Sequence, residues 1–278
     1  MEDLEIKTPE QVEQELNLIR YKRALSRRTF MERVGMASVA VAGISALNGC
    51  LGGTSLAAVV PEADVLNFAL NLEYLEAEFY QVAVTGNRLS AADTGAATGA
   101  TTGGSKVTFT DPQVANIAAE IASDELAHVR FLRSALGAAA VPKPAINLAA
   151  LGIGFANDTQ FLQLSRAFED TGVSAYNGAA TLLSGANLQA AASILATEAL
   201  HTGNIRLLLI QKAIASGALD AQDKPPAAPS TYFALDANAL ALKRTTSQVL
   251  SIVYASTTPG ATSGGFFPSG LNGNIKTI

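Results

Sequence analysis

Between residues 112 and 136, Val114, Ala118, Ile121, Leu132 and Ala135 recur at alternating steps of four and three. That is one stripe of an α-helix, and Glu125 and His128 sit in its middle. A later segment repeats the pattern: Ala191, Ile194, Ile205 and Leu208 flank Glu198 and His201. Two more apolar segments, about 61–84 and 158–183, carry no histidine. Each instead places a glutamate two turns before a tyrosine, Glu73 before Tyr80 and Glu169 before Tyr176. The four segments predict four helices, the last running to about Ser216. Pro61 with Glu62 and Asp64 suits a helix start, as does Asp111 ahead of Pro112, and Gly137 suits a helix end. Ser184–Asn187 reads as a tight turn, and Pro142 and Pro144 mark 138–157 as a crossover connection. Thr85–Thr110, rich in Gly, Ala, Thr and Ser, has no helical period and reads as a long mobile loop. Beyond Pro225 and Pro226, Ala237–Lys243 reads as a short helix and Gln248–Tyr254 as a helix or an edge strand. The Gly-rich tail is expected to lie irregularly on the bundle, because exposing Phe266 and Phe267 would be costly.

Composition narrows this to an all-α reading. Hydrophobic residues make up 49% of the 278 positions, charged ones 15%, and there is no Trp, which favours packed helices over a β-sandwich. The expected organisation is an N-terminal segment over 1–50, a four-helix bundle with one long crossover over 61–216, and a C-terminal extension over 217–278. A net charge of −5, with no basic block after the N-terminus, argues against a nucleic-acid partner. Cys50 is the single cysteine, so a disulfide framework and a cysteine-based zinc site are both excluded. Any metal must be held by carboxylates and histidines.

Both histidines of the chain stand in E-x-x-H pairs on core-facing stripes. One such pair is weak, since its spacing arises by chance; two that use every histidine are specific. In order the helices offer Glu73, then Glu125 with His128, then Glu169, then Glu198 with His201. That is the ligand order of ferritin-like di-iron and di-manganese carboxylate bundles, and it implies a two-fold internal repeat. Carboxylates bridge hard cations, and imidazole suits iron, manganese and zinc. Glu125 and Glu198 are the bridging candidates; Glu73 with His128, and Glu169 with His201, are the terminal ones. Two ions per chain are expected, iron or manganese, with iron favoured. Glu76, one turn beyond Glu73, could take its place, but the matched spacing to tyrosine selects Glu73; Glu78 is expected to face solvent. The plain alternative is a buried ion-pair network without metal. It fails on charge, because four glutamates face two histidines and Arg166 could pair with one glutamate at most.

The N-terminus reads as an address. Ser26-Arg27-Arg28-Thr29-Phe30-Met31 precedes an apolar run from Val34 to Leu47, too short for a membrane span and the length of a signal core. It resembles a twin-arginine export signal, with Glu32 where such signals often carry Lys. The resemblance implies passage through the twin-arginine machinery to the periplasm or cell envelope. Leu47-Asn48-Gly49-Cys50 resembles a lipobox, which implies a membrane anchor at a lipidated Cys50, although Asn48 fits poorly.

Leu66–Tyr80, Asp124–His128, Thr197–His201, Gly172–Tyr176 and the ending Gly264–Gly273 together resemble the ferritin-like family that includes plant desiccation-related proteins and many exported bacterial proteins. The resemblance covers roughly 61–278. In related di-iron proteins an Asp at the place of Asp124 hydrogen-bonds a histidine ligand of another helix, here His201; Thr197 holds the matching place in the other half. Tyr80 and Tyr176 could hydrogen-bond ligands or be core tyrosines. The reactions of such proteins are mostly undefined, but the second E-x-x-H departs from ordinary ferritin and favours redox chemistry on peroxide or oxygen in stress protection, as a catalase- or peroxidase-like oxidoreductase, over plain iron storage. The alternatives are metal storage, which needs an oligomeric shell, and a structural desiccation protein without turnover.

Overall fold

The computed structural model describes residues 60–278; the twin-arginine segment, its apolar run and Cys50 lie outside the described residues. The fold is all-α. Helix α1 spans Glu62–Thr85, α2 is the single turn Ala91–Thr94, and α3 spans Pro112–Leu136. Helix α4 spans Asp158–Ala179, α5 Gly185–Gln211 and α6 Thr246–Val253. Helices α1 and α3 form one packed pair and α4 and α5 the other, and the pairs meet through α1 against α4 and α3 against α5. No helix among the described residues is long and apolar enough to cross a membrane.

Local chemistry sets the boundaries. The Asp111 side chain accepts from the Gln113 amide with Pro112 in the first turn, and Asn157 accepts from the Gln160 amide ahead of α4. Gly86 closes α1 in the left-handed region, its N–H returned to Val82 O. The reading of α4 ran to 183, but the last turn tightens into a 3₁₀ turn over Ala180–Leu182. Helix α5 begins at Gly185, directly after Ser184, whose hydroxyl donates to Glu62, so the expected four-residue turn is shorter. Helix α5 ends before Ser216, because Ala213 adopts φ 54° and the Ile214 amide bonds Leu209 O.

Three further expectations are corrected. Thr85–Thr110 contains α2 and a two-residue strand β1, Thr101–Thr102, paired in parallel with β2, Ile146–Asn147, of the crossover. Backbone pairing between two connections replaces the missing helical period. Ala237–Lys243 is no helix: Asp236 accepts from the amides of Asn238 and Leu240, and Leu235 bridges Ala241. An Asx-type turn outcompetes helix there. Glu78 does not face solvent. It is 1% exposed, accepts from Thr101 Oγ1 at 3.0 Å and stands 3.6 Å from the buried Lys143 Nζ. Thr101 and Lys143 of the connections reach Glu78 and Asn272 of the extension reaches Asn71, so α1 is buried around nearly its whole circumference.

The extension is fastened by polar anchors. Asn71 and Asn272 exchange side-chain to backbone hydrogen bonds at 2.9 and 3.0 Å. Phe266 and Phe267 are buried, and Phe266 meets Phe168 edge-on at 5.0 Å. Three buried arginines join α4 and α5 to residues 217–244: Arg206 donates to the Tyr232 and Lys224 carbonyls, Arg166 to Asp223 and Arg244 to Ser174 Oγ. Arg166 is thus turned to aspartates, not to a glutamate of the helical stripes.

Candidate metal centre

Helix propensity and the apolar stripes bring each site residue to mid-helix, where four helices face one another. Glu73, Glu125, Glu169 and Glu198 are all 0% exposed. His201 is buried, and the His128 side chain is 11% exposed. Two quartets form, each with ligand atoms within 4.8 Å of one another: Glu73, Glu125, His128 and Glu198, and Glu125, Glu169, Glu198 and His201. Glu125 and Glu198 belong to both. Glu73 and Glu169 each belong to one, beside a different histidine.

The donor atoms face inward. His128 Nδ1 lies 3.2 Å from Glu73 Oε2, 3.3 Å from Glu125 Oε2 and 3.5 Å from Glu198 Oε1. His201 Nδ1 lies 3.1 Å from Glu125 Oε1 and 3.3 Å from Glu169 Oε2. Its Nε2 stands 3.3 Å from Asp124 Oδ2, a carboxylate that is 44% exposed. The tyrosines cross between the halves. Tyr80 on α1 donates to Glu169 Oε1 of α4 at 2.5 Å, and Tyr176 on α4 donates to Glu73 Oε1 of α1 at 2.5 Å. Each outer glutamate is thus steered by the tyrosine of the opposite repeat. Below them Phe79 stacks on Phe161 and meets Phe155 and Phe168 edge-on, which seals that end with apolar surface.

Six such groups cannot all be ionised as they are in water. Burial raises Glu73 to about 7, against the pull of His128. Burial and the charge of Glu125 push Glu198 well above the usual carboxylate range. Burial also acts on Glu125, but the two imidazoles outweigh it and hold this carboxyl low. Burial would lower both histidines, yet the facing carboxylates hold them above the ordinary imidazole value. Several polar atoms are orphaned: Glu125 Oε1, Glu169 Oε2, both oxygens of Glu198 and His201 Nδ1 are buried without a hydrogen-bond partner. Native proteins rarely leave such atoms unmatched. Hard oxygens and imidazole nitrogens pointing at shared centres are what divalent first-row metals take, so the residues fit bound metal.

Reading along single helices missed Lys143 and Thr101, which reach Glu78 from the connections, and Gly172, which faces Glu198. Gly172 had a signal: it stands three residues after Glu169, as Glu76 stands after Glu73.

Comparison with known proteins bears on the family and the fold. Residues 61–211 match the model of the ferritin-like domain. A desiccation-related protein, PCC13-62 of Craterostigma plantagineum, is 30% identical across 55% of each chain. The chain therefore spans about half the length of that relative.

Proposed function

The chain belongs to the ferritin-like domain family, and from that membership and its two overlapping quartets we propose that it is a di-metal carboxylate protein working by redox chemistry on peroxide or oxygen. The observation that carries this reading is the sharing of Glu125 and Glu198 between the quartets, which suits two ions side by side. Glu73 with His128 would complete one ion and Glu169 with His201 the other, with iron favoured over manganese. When bound, the metals would supply electron exchange with the oxidant.

The protein's own residues set the conditions for it. For His201 Nδ1 to act as a ligand, its ring proton must sit on Nε2, and Asp124 Oδ2 is placed to accept it. His128 has no matching carboxylate at Nε2 among the described residues, so the halves differ in ligand orientation. Tyr80 and Tyr176 leave each outer glutamate one oxygen for the metal while holding the other. The Phe79 cluster keeps bulk water from that end.

Export rests on the Ser26–Met31 signal and Cys50. Retention of an Arg27→Lys/Arg28→Lys precursor in the cytoplasm would support it, and unchanged export would refute it. The likeness to a desiccation-related protein favours a second reading, in which the metals are structural. Metal content and hydrogen peroxide loss, measured on one purified sample beside Glu125→Ala/Glu198→Ala, separate the two. Two metals per chain with variant-sensitive peroxide loss support turnover. Two metals without turnover support the structural reading, and a folded, freshly isolated protein without metal overturns both.

A further inference from the structure

The two-fold repeat is broken at one position beside the centre. Glu73 and Tyr80 of α1 correspond to Glu169 and Tyr176 of α4, but the residue three past each glutamate is Glu76 in α1 and Gly172 in α4. At that spacing both lie one turn along the face that carries the glutamates. The exchange sets a full carboxylate against no side chain.

Glu76 is 4% exposed and makes no side-chain hydrogen bond or ion pair with any described residue. Its neighbour Glu78 shows what a partnered carboxylate looks like here, with Thr101 and Lys143 in attendance. Besides burial, what acts on Glu76 is the site's own carboxylates, Glu198 first, then Glu125, Glu73 and Glu169. A carboxylate buried among other carboxylates is unfavourable unless a cation joins it. The fold nevertheless makes room for it. A Cβ at Gly172 would lie 2.4 Å from Glu198 Oε2 and 3.2 Å from Glu76 Oε1. The bare Cα of Gly172 is therefore the floor on which these two carboxylates converge, and any larger residue would push them apart.

We propose that Glu76 is a fifth carboxylate ligand of the metal pair, reaching it beside Glu198 over the surface of Gly172. This rests on the reading of the six-residue centre as a metal site. Four carboxylates balance two divalent ions; a fifth adds one negative charge and one more hard oxygen donor. The surplus charge favours ions of higher charge, and it sits on one side of the pair because α4 offers glycine at the matching place.

The test uses the full chain, stripped of metal and titrated with Co²⁺, whose visible absorption weakens as its coordination number rises. Wild type is expected to bind two equivalents. In Glu76→Gln, which keeps shape and removes charge, one equivalent should bind at least about tenfold more weakly, since even groups behind a ligand are worth 10–100-fold, and its absorption should strengthen. Gly172→Ala keeps every carboxylate but crowds Glu76 against Glu198, and it should weaken the same equivalent. The melting temperature of each metal-free variant checks that the fold persists. Two equivalents at wild-type affinity and with the wild-type spectrum in Glu76→Gln would overturn the role of Glu76 and leave the six-residue centre standing, whatever Gly172→Ala does. Wild type binding no Co²⁺ would overturn the centre itself, and this inference with it.

Discussion

Glu125 lies in both quartets and Glu73 in one, so replacing each by glutamine should cost different numbers of metals. At a free metal concentration 100 times the dissociation constant, one site stabilises the folded state by about 2.7 kcal/mol and two by about 5.4. For a domain of this size each kcal/mol moves the melting temperature by about 2–4 °C. Loaded wild type should therefore melt about 11–22 °C above its chelated form. Glu73→Gln removes a donor from one quartet and should keep about half of that difference, while Glu125→Gln should lose nearly all of it. The chelated forms serve as each variant's own baseline, because Glu73 is raised by burial whereas Glu125 is held low by both imidazoles, so Glu125→Gln should also lower the metal-free melting temperature. The assay is paired thermal melts with Mn²⁺ and with chelator, alongside metal content per chain. Equal losses in the two variants would refute the shared role of Glu125, and a metal-induced rise that survives Glu125→Gln in full would refute the centre as drawn.

Two further outcomes test the frame around the site. Phe79 is 0% exposed and touches four aromatic rings, so Phe79→Ala should cost about 3–5 kcal/mol in chemical denaturation; a loss below about 1 kcal/mol would mean that the apolar seal is not packed as described. Arg130 donates to both oxygens of Asp93, at 2.6 and 3.2 Å, and holds this carboxyl below its ordinary value. A depressed carboxylate stabilises above its unfolded pKa of about 3.9, and that contribution fades as pH falls through the lower folded value. Asp93→Asn should thus melt below wild type at neutral pH and converge with it in acid, and a constant gap down to about pH 3 would contradict the pair.

What was legible in the sequence was what one helix can encode. Period 3.6 puts Glu125 with His128, and Glu198 with His201, in the middle of apolar stripes whatever the helices pack against. The caps at Asp111 and Gly137 are likewise local, since each satisfies its own helix end. Glu78 was misread because its partners, Thr101 and Lys143, arrive from two connections whose pairing no periodicity announces. Tyr80 could be set on the face of Glu73, but its hydroxyl reaches Glu169 on α4, a choice made by how α1 and α4 cross. Arg166 looked free for a glutamate until the extension brought Asp223 to it.

The sequence by itself determined which residues face the core and that four carboxylates and two imidazoles would be buried there, because helical periodicity and the cost of burial act along a single segment. Tertiary structure alone decided which atoms share a centre, which tyrosine steers which glutamate, and that Glu76 stands over Gly172. Those facts depend on distances of a few ångströms between residues far apart in the chain, and only the packing of one helix against another sets them.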